Sequence, residues 1–475
     1  MDQRIISLEL NELCPHLLDR WMGEGILPNF RQLHQQSQVF TTYPDSDKPD
    51  ELEPWIQWYS IHTGLPFSEH GVFHLTDGRD APHRDIWQYL MEHGQNVMNF
   101  SSMNTAPFAK GGSLFLADPW CDDRRNSPAE LNQFAAFVAH NVREHSNRQN
   151  RLGLADYAAF IGFMATHGWS PATIKRTMIQ LIGEKSDPAR AAQRVAILDA
   201  MQFDVFAHYF KRLKPAFASF FVNSVAHLQH SYWRHMEPDA FSVKPGKRDL
   251  DRYGTAIKDG YIAMDALVGR FLRLAIRHDA TIILQTALSQ QPFVKYEKQG
   301  SQHFYRLSDL GGFLQHCGIS AEHAEPTMTH QYMLHFKDQK DRDAARTRLE
   351  SWESAKGAKV FGFSEHDREE TALYFGCQIA SATTDDAGII DRETGSEHRF
   401  GDWLYSMEAT KSGCHHPDGC LWIASGDHAV HDTKVSILDI FPTIISMMGI
   451  DNASGALPGH NLLPAFTLEE IRRAV

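Results

Sequence analysis

The chain has 475 residues, 42% of them hydrophobic and 22% charged, an ordinary balance for a soluble globular protein with room for a large core. A formal charge of −13 argues against a nucleic-acid-binding surface, which would need clustered Lys and Arg. No window reaches the ~18 uninterrupted apolar residues of a membrane span, and the six cysteines hold no CxxC pair, so a reduced, cytoplasmic protein is expected.

The first segment, RIISLEL, reads as a buried strand entered without a signal-peptide pattern. Leu17, Leu18, Trp21 and Met22 then give a helical face, Gly23 and Gly25 stop it, and Pro28 starts another turn. Glu9 therefore falls at the carboxyl end of the first strand, with Asn11 and Glu12 close behind. In an open α/β sheet that edge binds ligands. A buried structural carboxylate is the plain alternative, and it would need a partner.

Pro54 suits a first helical position, with Glu53 before it, while Trp55, Trp58 and Tyr59 form a packing face and Thr63-Gly64 closes the helix. Glu53 is either a dipole-compensating cap or a functional carboxylate. His62, His70 and His74 read as packing or loop histidines. Residues 84–100 repeat the helix–turn–strand pattern, and from about Asp118 to Asp204 the chain turns helical and polar, as in an inserted cap.

FASFFV, Phe217 to Val222, is a short buried strand. NSVAHLQHSYWRH follows, and a helix there puts His227 and His230 on one face, suited to a transition metal or simply satisfied by backbone and water. A long amphipathic helix around Tyr261 and Asp265 leads into the strand ATIILQTAL and then SQQPF. Residues 294–411 break the rhythm with the strand TMTHQYMLHF, a charged helix DQKDRDAARTRLESW and the strand TALYFGCQI. The strand CLWIASG and the helix VSILDIFPTIISMMGI restore it. The expected division is thus core 1–117, helical cap 118–204, core 205–293, α+β insert 294–411 and core 412–475.

Taken together, HHPDGCLWIASG, SILDIFPTIISMMGI and LPGHNLLPAF resemble the His-x-Pro-x-Gly strand, Asp-x-x-Pro-Thr helix and closing Gly-x-x-Leu of the alkaline phosphatase superfamily. The likeness is to its type I phosphodiesterase/nucleotide pyrophosphatase branch. GILPNFRQL, SIHTGLPFSEHGV and LQHSYW match in the same order, so the resemblance spans Arg4 to about Phe466. It implies an α/β fold with a largely parallel sheet sandwiched by helices and metal ligands on loops at one sheet edge.

The site that the resemblance implies departs from the family pattern. The first acidic position falls on Glu9, a longer carboxylate than the usual Asp, and the nucleophile position falls on Pro54, which has no hydroxyl. The Asp of the Asp-x-x-x-His pair falls on Ala226 while its His remains as His230; the Asp-His pair falls on Ala287 and Leu288. The late His remains as His415, with His416 beside it.

These residues point to a rebuilt, mononuclear site for one divalent transition metal (Zn, Fe or Mn) held by Glu9, His227, His230 and His415. Glu53 and Glu9 are the expected catalytic carboxylates. Asn11, Trp55, Gln57, Gln290, Gln291 and His416 are the expected substrate contacts. The activity implied is a metal-dependent hydrolase or transferase acting on a phosphorylated or sulfated small molecule or glycan. A non-haem iron redox enzyme and an inactive binding scaffold are the alternatives. A homo-oligomer is compatible with the sequence.

Overall fold

The computed structural model describes the chain except residues 1–3, 47, 49–50, 122–124, 145–151, 296, 328–329, 365–369, 408–411, 451–456 and 463–475. In chain order, the first half of the frame comprises β1 (Arg4–Leu10), α1 (Pro15–Gly23), α2 (Pro28–His34), β2 (Ser37–Tyr43), α3 (Pro54–Thr63), α4 (Ile86–Glu92), β3 (Val97–Phe100) and β4 (Leu114–Leu116). A helical segment follows: α5 (Leu131–Glu144), α6 (Leu154–Thr166), α7 (Pro171–Ser186) and α8 (Arg194–Leu213). The frame resumes with β5 (Phe217–Val222), α9 (Ser224–Met236), α10 (Ala256–His278), β6 (Ala280–Thr286) and β7 (Ser289–Pro292). It closes with β8 (Gly413–His416), β9 (Gly419–Ala424), β10 (Ala429–Val430), β11 (Val435–Ser436) and α11 (Ile440–Met447).

The main sheet runs β10-β2-β9-β6-β1-β5-β3-β4, with β11 also on β2. All its pairings are parallel except those of β9, which runs against both β2 and β6. β1 sits at its centre, buried from Ile5 onward. Its alternation splits the core: Ile6, Leu8 and Leu10 pack with α1, α2, α8, α9 and α10, whereas Ile5 faces Trp58, Ile61, Trp87 and Ile444 from α3, α4 and α11. Each fully buried aliphatic or aromatic side chain on these faces contributes about 1.5–3 kcal/mol relative to exposure. The sheet is thus covered by helices on both faces, the α/β arrangement the sequence implies.

One cap shows how the layers are tied. Neither Leu27 nor Pro28 offers a side-chain cap to α2. Asp265 of α10 supplies it instead, accepting from the backbone N–H of Asn29 at 2.9 Å and of Phe30 at 2.8 Å.

The helical segment does not stop near 204, because α8 continues unbroken to Leu213 and delivers the chain to β5. Residues between β7 and β8 form a unit with its own core around Phe313, Leu334, Leu349, Trp352 and Phe375. Among the described residues no helix is long and apolar enough to cross a membrane.

Candidate metal centre

The site begins where β1 ends. Asn11 N–H donates to Val222 O at 3.0 Å, which extends the β1–β5 ladder by one rung. Glu12 then takes φ +56°, a left-handed conformation that costs a non-glycine residue about 1 kcal/mol. Three hydrogen bonds hold the turn. Gln229 donates to Glu12 O at 2.8 Å, Tyr261 OH donates to Gln229 Oε1 at 2.9 Å, and Cys14 N–H donates to the same hydroxyl at 2.8 Å. Helices α9 and α10 therefore fix the Glu12 backbone in a strained form, which is common at functional sites.

The Glu12 side chain is buried, and both oxygens are engaged. Asn11 Nδ2 donates to Oε1 at 2.9 Å, and Gln290 Nε2 donates to Oε2. His230 Nε2 lies 3.2 Å from Oε2 and His415 Nε2 3.7 Å from it. Among the described residues, this group alone brings three ligand atoms within 4.8 Å of one another in a metal-competent set. Burial alone would raise the Glu12 carboxyl; when His415 and His230 carry their second proton, their charges and the hydrogen bonds from His230 and Gln290 outweigh burial and bring it down to about 2.

Each imidazole has its second nitrogen directed at an acceptor. His230 Nδ1 is 3.1 Å from Gly413 O, and His415 Nδ1 is 3.7 Å from Glu53 Oε2. A proton on each Nδ1 leaves the Nε2 lone pairs facing a carboxylate, an arrangement that is repulsive unless a proton or a metal cation lies between. The donor set thus fits a divalent metal: two neutral imidazoles, one carboxylate, and outer hydrogen bonds that set the tautomers.

Strands β7 and β8 build one wall, paired antiparallel with His415 opposite Gln290 and His416 opposite Ser289. Ser412 N–H donates to His230 O at 3.0 Å and Ser412 Oγ accepts from Arg234 N–H, so β8 is locked to α9. Gly413 has no room for a side chain, since a Cβ there would meet Gln290 Oε1 at 2.5 Å and Gln229 O at 2.7 Å.

Glu9, expected as a ligand and catalytic group, is elsewhere. It is buried in β1 with Oε1 3.3 Å from His62 Nε2, on the same sheet face as Ile5. Two-residue alternation along β1 forces this: Glu9 shares parity with Ile5, and only residues past Leu10 are free of the pleat. Among the described residues Glu12, not Glu9, is the carboxylate grouped with His230 and His415. The sequence does carry a signal for it, an acidic residue just beyond the strand end. His227, one turn before His230 on α9, lies outside the metal-competent group.

The expected substrate contacts divide. Asn11 is buried with its carboxamide spent on Glu12, on Asn223 Oδ1 at 2.7 Å and on the Trp58 indole N–H at 2.8 Å. Gln57 is buried, accepting from Asp45 N–H at 3.0 Å and donating to Glu51 O at 2.9 Å. Gln290 donates to Glu12 and to Ala226 O, so it does not present its N–H groups to a substrate. Trp55, Gln291 and His416 are half-buried; Trp55 donates to Phe73 O at 2.7 Å, Gln291 donates to His415 O at 3.1 Å and His416 Nδ1 accepts from Asp418 N–H at 3.1 Å. Glu53 precedes α3 in an extended conformation, makes no cap, and faces His415.

No protein-family model and no curated protein matches the chain. Among solved structures, phosphonoacetate hydrolase from Sinorhizobium meliloti 1021 in complex with phosphonoacetate is 13% identical, over 93% of this chain and 94% of that one, with a TM-score of 0.43. The same enzyme with phosphonoformate gives 13% identity and a TM-score of 0.40. Phosphonate monoester hydrolase of Agrobacterium radiobacter is 12% identical, over 97% of this chain and 76% of that one, with a TM-score of 0.37.

Proposed function

We propose that the chain is a metal-dependent hydrolase or transferase, built on an alkaline-phosphatase-like frame, with one divalent transition metal held by Glu12, His230 and His415. The observation that supports this best is the pair of imidazole Nε2 atoms converging on Glu12 Oε2 while their Nδ1 atoms face Gly413 O and Glu53. The substrate, a phosphorylated or sulfated small molecule or glycan, follows from the motif resemblance alone.

A bound cation would polarise an ester oxygen and lower the pKa of water beside it. Pro54 at the start of α3 leaves no hydroxyl there to form a covalent intermediate, so water is the attacking group. Glu53, about two-thirds buried and beside His415, takes the proton of that water. Asn11 and Gln290 hold both Glu12 oxygens in place, acting as positioning residues. Trp55, Gln291 and His416 meet the substrate. Two histidines and one carboxylate also form the facial set of non-haem iron, so the metal's identity decides between hydrolytic and redox chemistry.

Elemental analysis of protein purified without chelator, beside a His230→Ala/His415→Ala double variant, tests the reading. Close to one equivalent of a transition metal in the parent and loss of it in a folded variant are expected. No metal in either, even after reconstitution, would leave the binding scaffold in its place.

A further inference from the structure

Asn223 directly follows β5, at the same sheet edge as Glu12. The last rung of the β1–β5 ladder, from Asn11 N–H to Val222 O, sets it beside Asn11. Asn223 is also the residue before α9, a position where an asparagine oxygen ordinarily accepts from the first turn of the helix. It makes no such cap. Its Oδ1 accepts from Asn11 Nδ2 instead, at 2.7 Å.

A run of one-way hydrogen bonds fixes how the two amides face. The Trp58 indole N–H can only donate, so the Asn11 atom 2.8 Å from it is the oxygen. Asn11 Nδ2 then spends its two N–H groups on Glu12 Oε1, at 2.9 Å, and on Asn223. The Asn223 atom that meets it must accept, which turns Asn223 Nδ2 to the other side. Trp58 is fully buried, so this orientation is set from the core. Among the described residues Asn223 Nδ2 has no acceptor, and it is not one of the buried polar atoms left without a partner. The side chain is half-buried, so the two N–H groups reach solvent.

The carboxamides that touch Glu12 are spent. Asn11 and Gln290 direct both N–H groups at protein oxygens, and Gln229 is fully buried with Nε2 on Glu12 O. Asn223 Oδ1 and Glu12 Oε1 share one donor, Asn11 Nδ2, so the open N–H pair of Asn223 is held beside the ligand carboxylate.

We propose that Asn223 is an oxyanion-binding residue, its Nδ2 donating to a peripheral oxygen of the substrate's phosphate or sulfate group. The inference rests on the metal-dependent reading above and adds to it a group that favours a tetrahedral anion. A preoriented neutral amide stabilises charge on oxygen without placing another titratable group beside the imidazoles.

Calorimetric titration of inorganic phosphate into the zinc-loaded full chain tests this, with zinc content measured on the same samples. Asn223→Asp keeps an acceptor for Asn11 and exchanges the N–H donors for a charged oxygen. Asn223→Ala removes the donors and adds no charge. Both variants are expected to keep zinc and to bind phosphate about 10- to 100-fold more weakly, the span of one hydrogen bond to a charged group. Parental phosphate affinity in a zinc-loaded Asn223→Ala would overturn the assignment, even if Asn223→Asp weakens binding through its charge. Loss of zinc in both variants would make Asn223 a brace for Asn11 and Glu12 and overturn it as well. A parent that takes up no zinc would overturn the metal reading. Phosphate binding by that metal-free parent, weakened by Asn223→Ala, would sustain the role of Asn223, and no phosphate binding would overturn both.

Discussion

His230 Nε2 stands 3.2 Å from Glu12 Oε2, and its ring is oriented by the 3.1 Å contact between Nδ1 and Gly413 O. The carboxylate that meets the imidazoles is therefore Glu12 and not Glu9, although the two lie three residues apart in sequence. Removing one charged oxygen at each position separates them. Glu12→Gln is expected to lower metal affinity by at least an order of magnitude, whereas Glu9→Gln should leave metal content unchanged. Metal titration by calorimetry and elemental analysis of both variants reads this out, and equal losses would return Glu9 to the ligand set.

Gly413 tests the support around the ligands without touching a ligand. A Cβ at this position meets Gln290 Oε1 and Gln229 O, the two side-chain and backbone groups that brace Glu12 and α9. Gly413→Ala should cost about 1–3 kcal/mol through overpacking. Displacing the carbonyl that orients His230 should also weaken metal binding about 10- to 100-fold. Denaturant unfolding of the metal-free protein measures the first effect and metal titration the second. A destabilised variant with parental metal affinity would mean that Gly413 O does not orient the ligand.

The strands and their order along the chain are legible because buried parallel strands announce themselves as short apolar runs, such as Ile5–Leu10 and Phe217–Val222, separated by helices with clear stops. His230 and His415 stand out through motifs. Glu12 is harder to see, since its role depends on a left-handed turn that only the Gln229 and Tyr261 hydrogen bonds enforce. Gln57 and Asn11 read as substrate contacts because a polar residue near a site looks available in sequence. Whether its carboxamide is already spent depends on neighbours as remote as Asn223 and Trp58.

Metal should stabilise the fold by mass action, because the three ligands come from β1–α1, α9 and β8, which converge only in the native state. At a free metal concentration of about one hundred times Kd, the gain is about 2.7 kcal/mol. The imidazoles must be neutral to bind and protons compete with the metal for them, so the gain should shrink on acidification. Thermal melts with and without added zinc at several pH values check this. A metal-induced change in melting temperature that persists undiminished at pH 5 would exclude histidine ligation.

Asp85 gives the protein a pH dependence independent of the metal. It caps α4, accepting from Gln88 N–H at 2.8 Å, but burial pushes its carboxyl up to about 7 against the pull of that bond and of His62. Asp199 is raised to about 7 by burial as well, opposed by Ser224 and Arg176. An unfolded aspartate titrates near 3.9, so between roughly pH 4 and 7 the folded chain holds protons that the unfolded chain has released. Stability from these groups therefore falls as pH rises through that window and levels off above it. Asp85→Asn keeps a cap oxygen for Gln88 and removes one of the two titrations. The variant should gain on the parent between pH 5 and pH 8 by up to a few kcal/mol, since each pH unit spent with the folded carboxyl protonated and the unfolded one ionised is worth about 1.4 kcal/mol. Parallel stability–pH curves for the two proteins, measured by denaturant unfolding of metal-free samples, would show that Asp85 is ionised across the whole range.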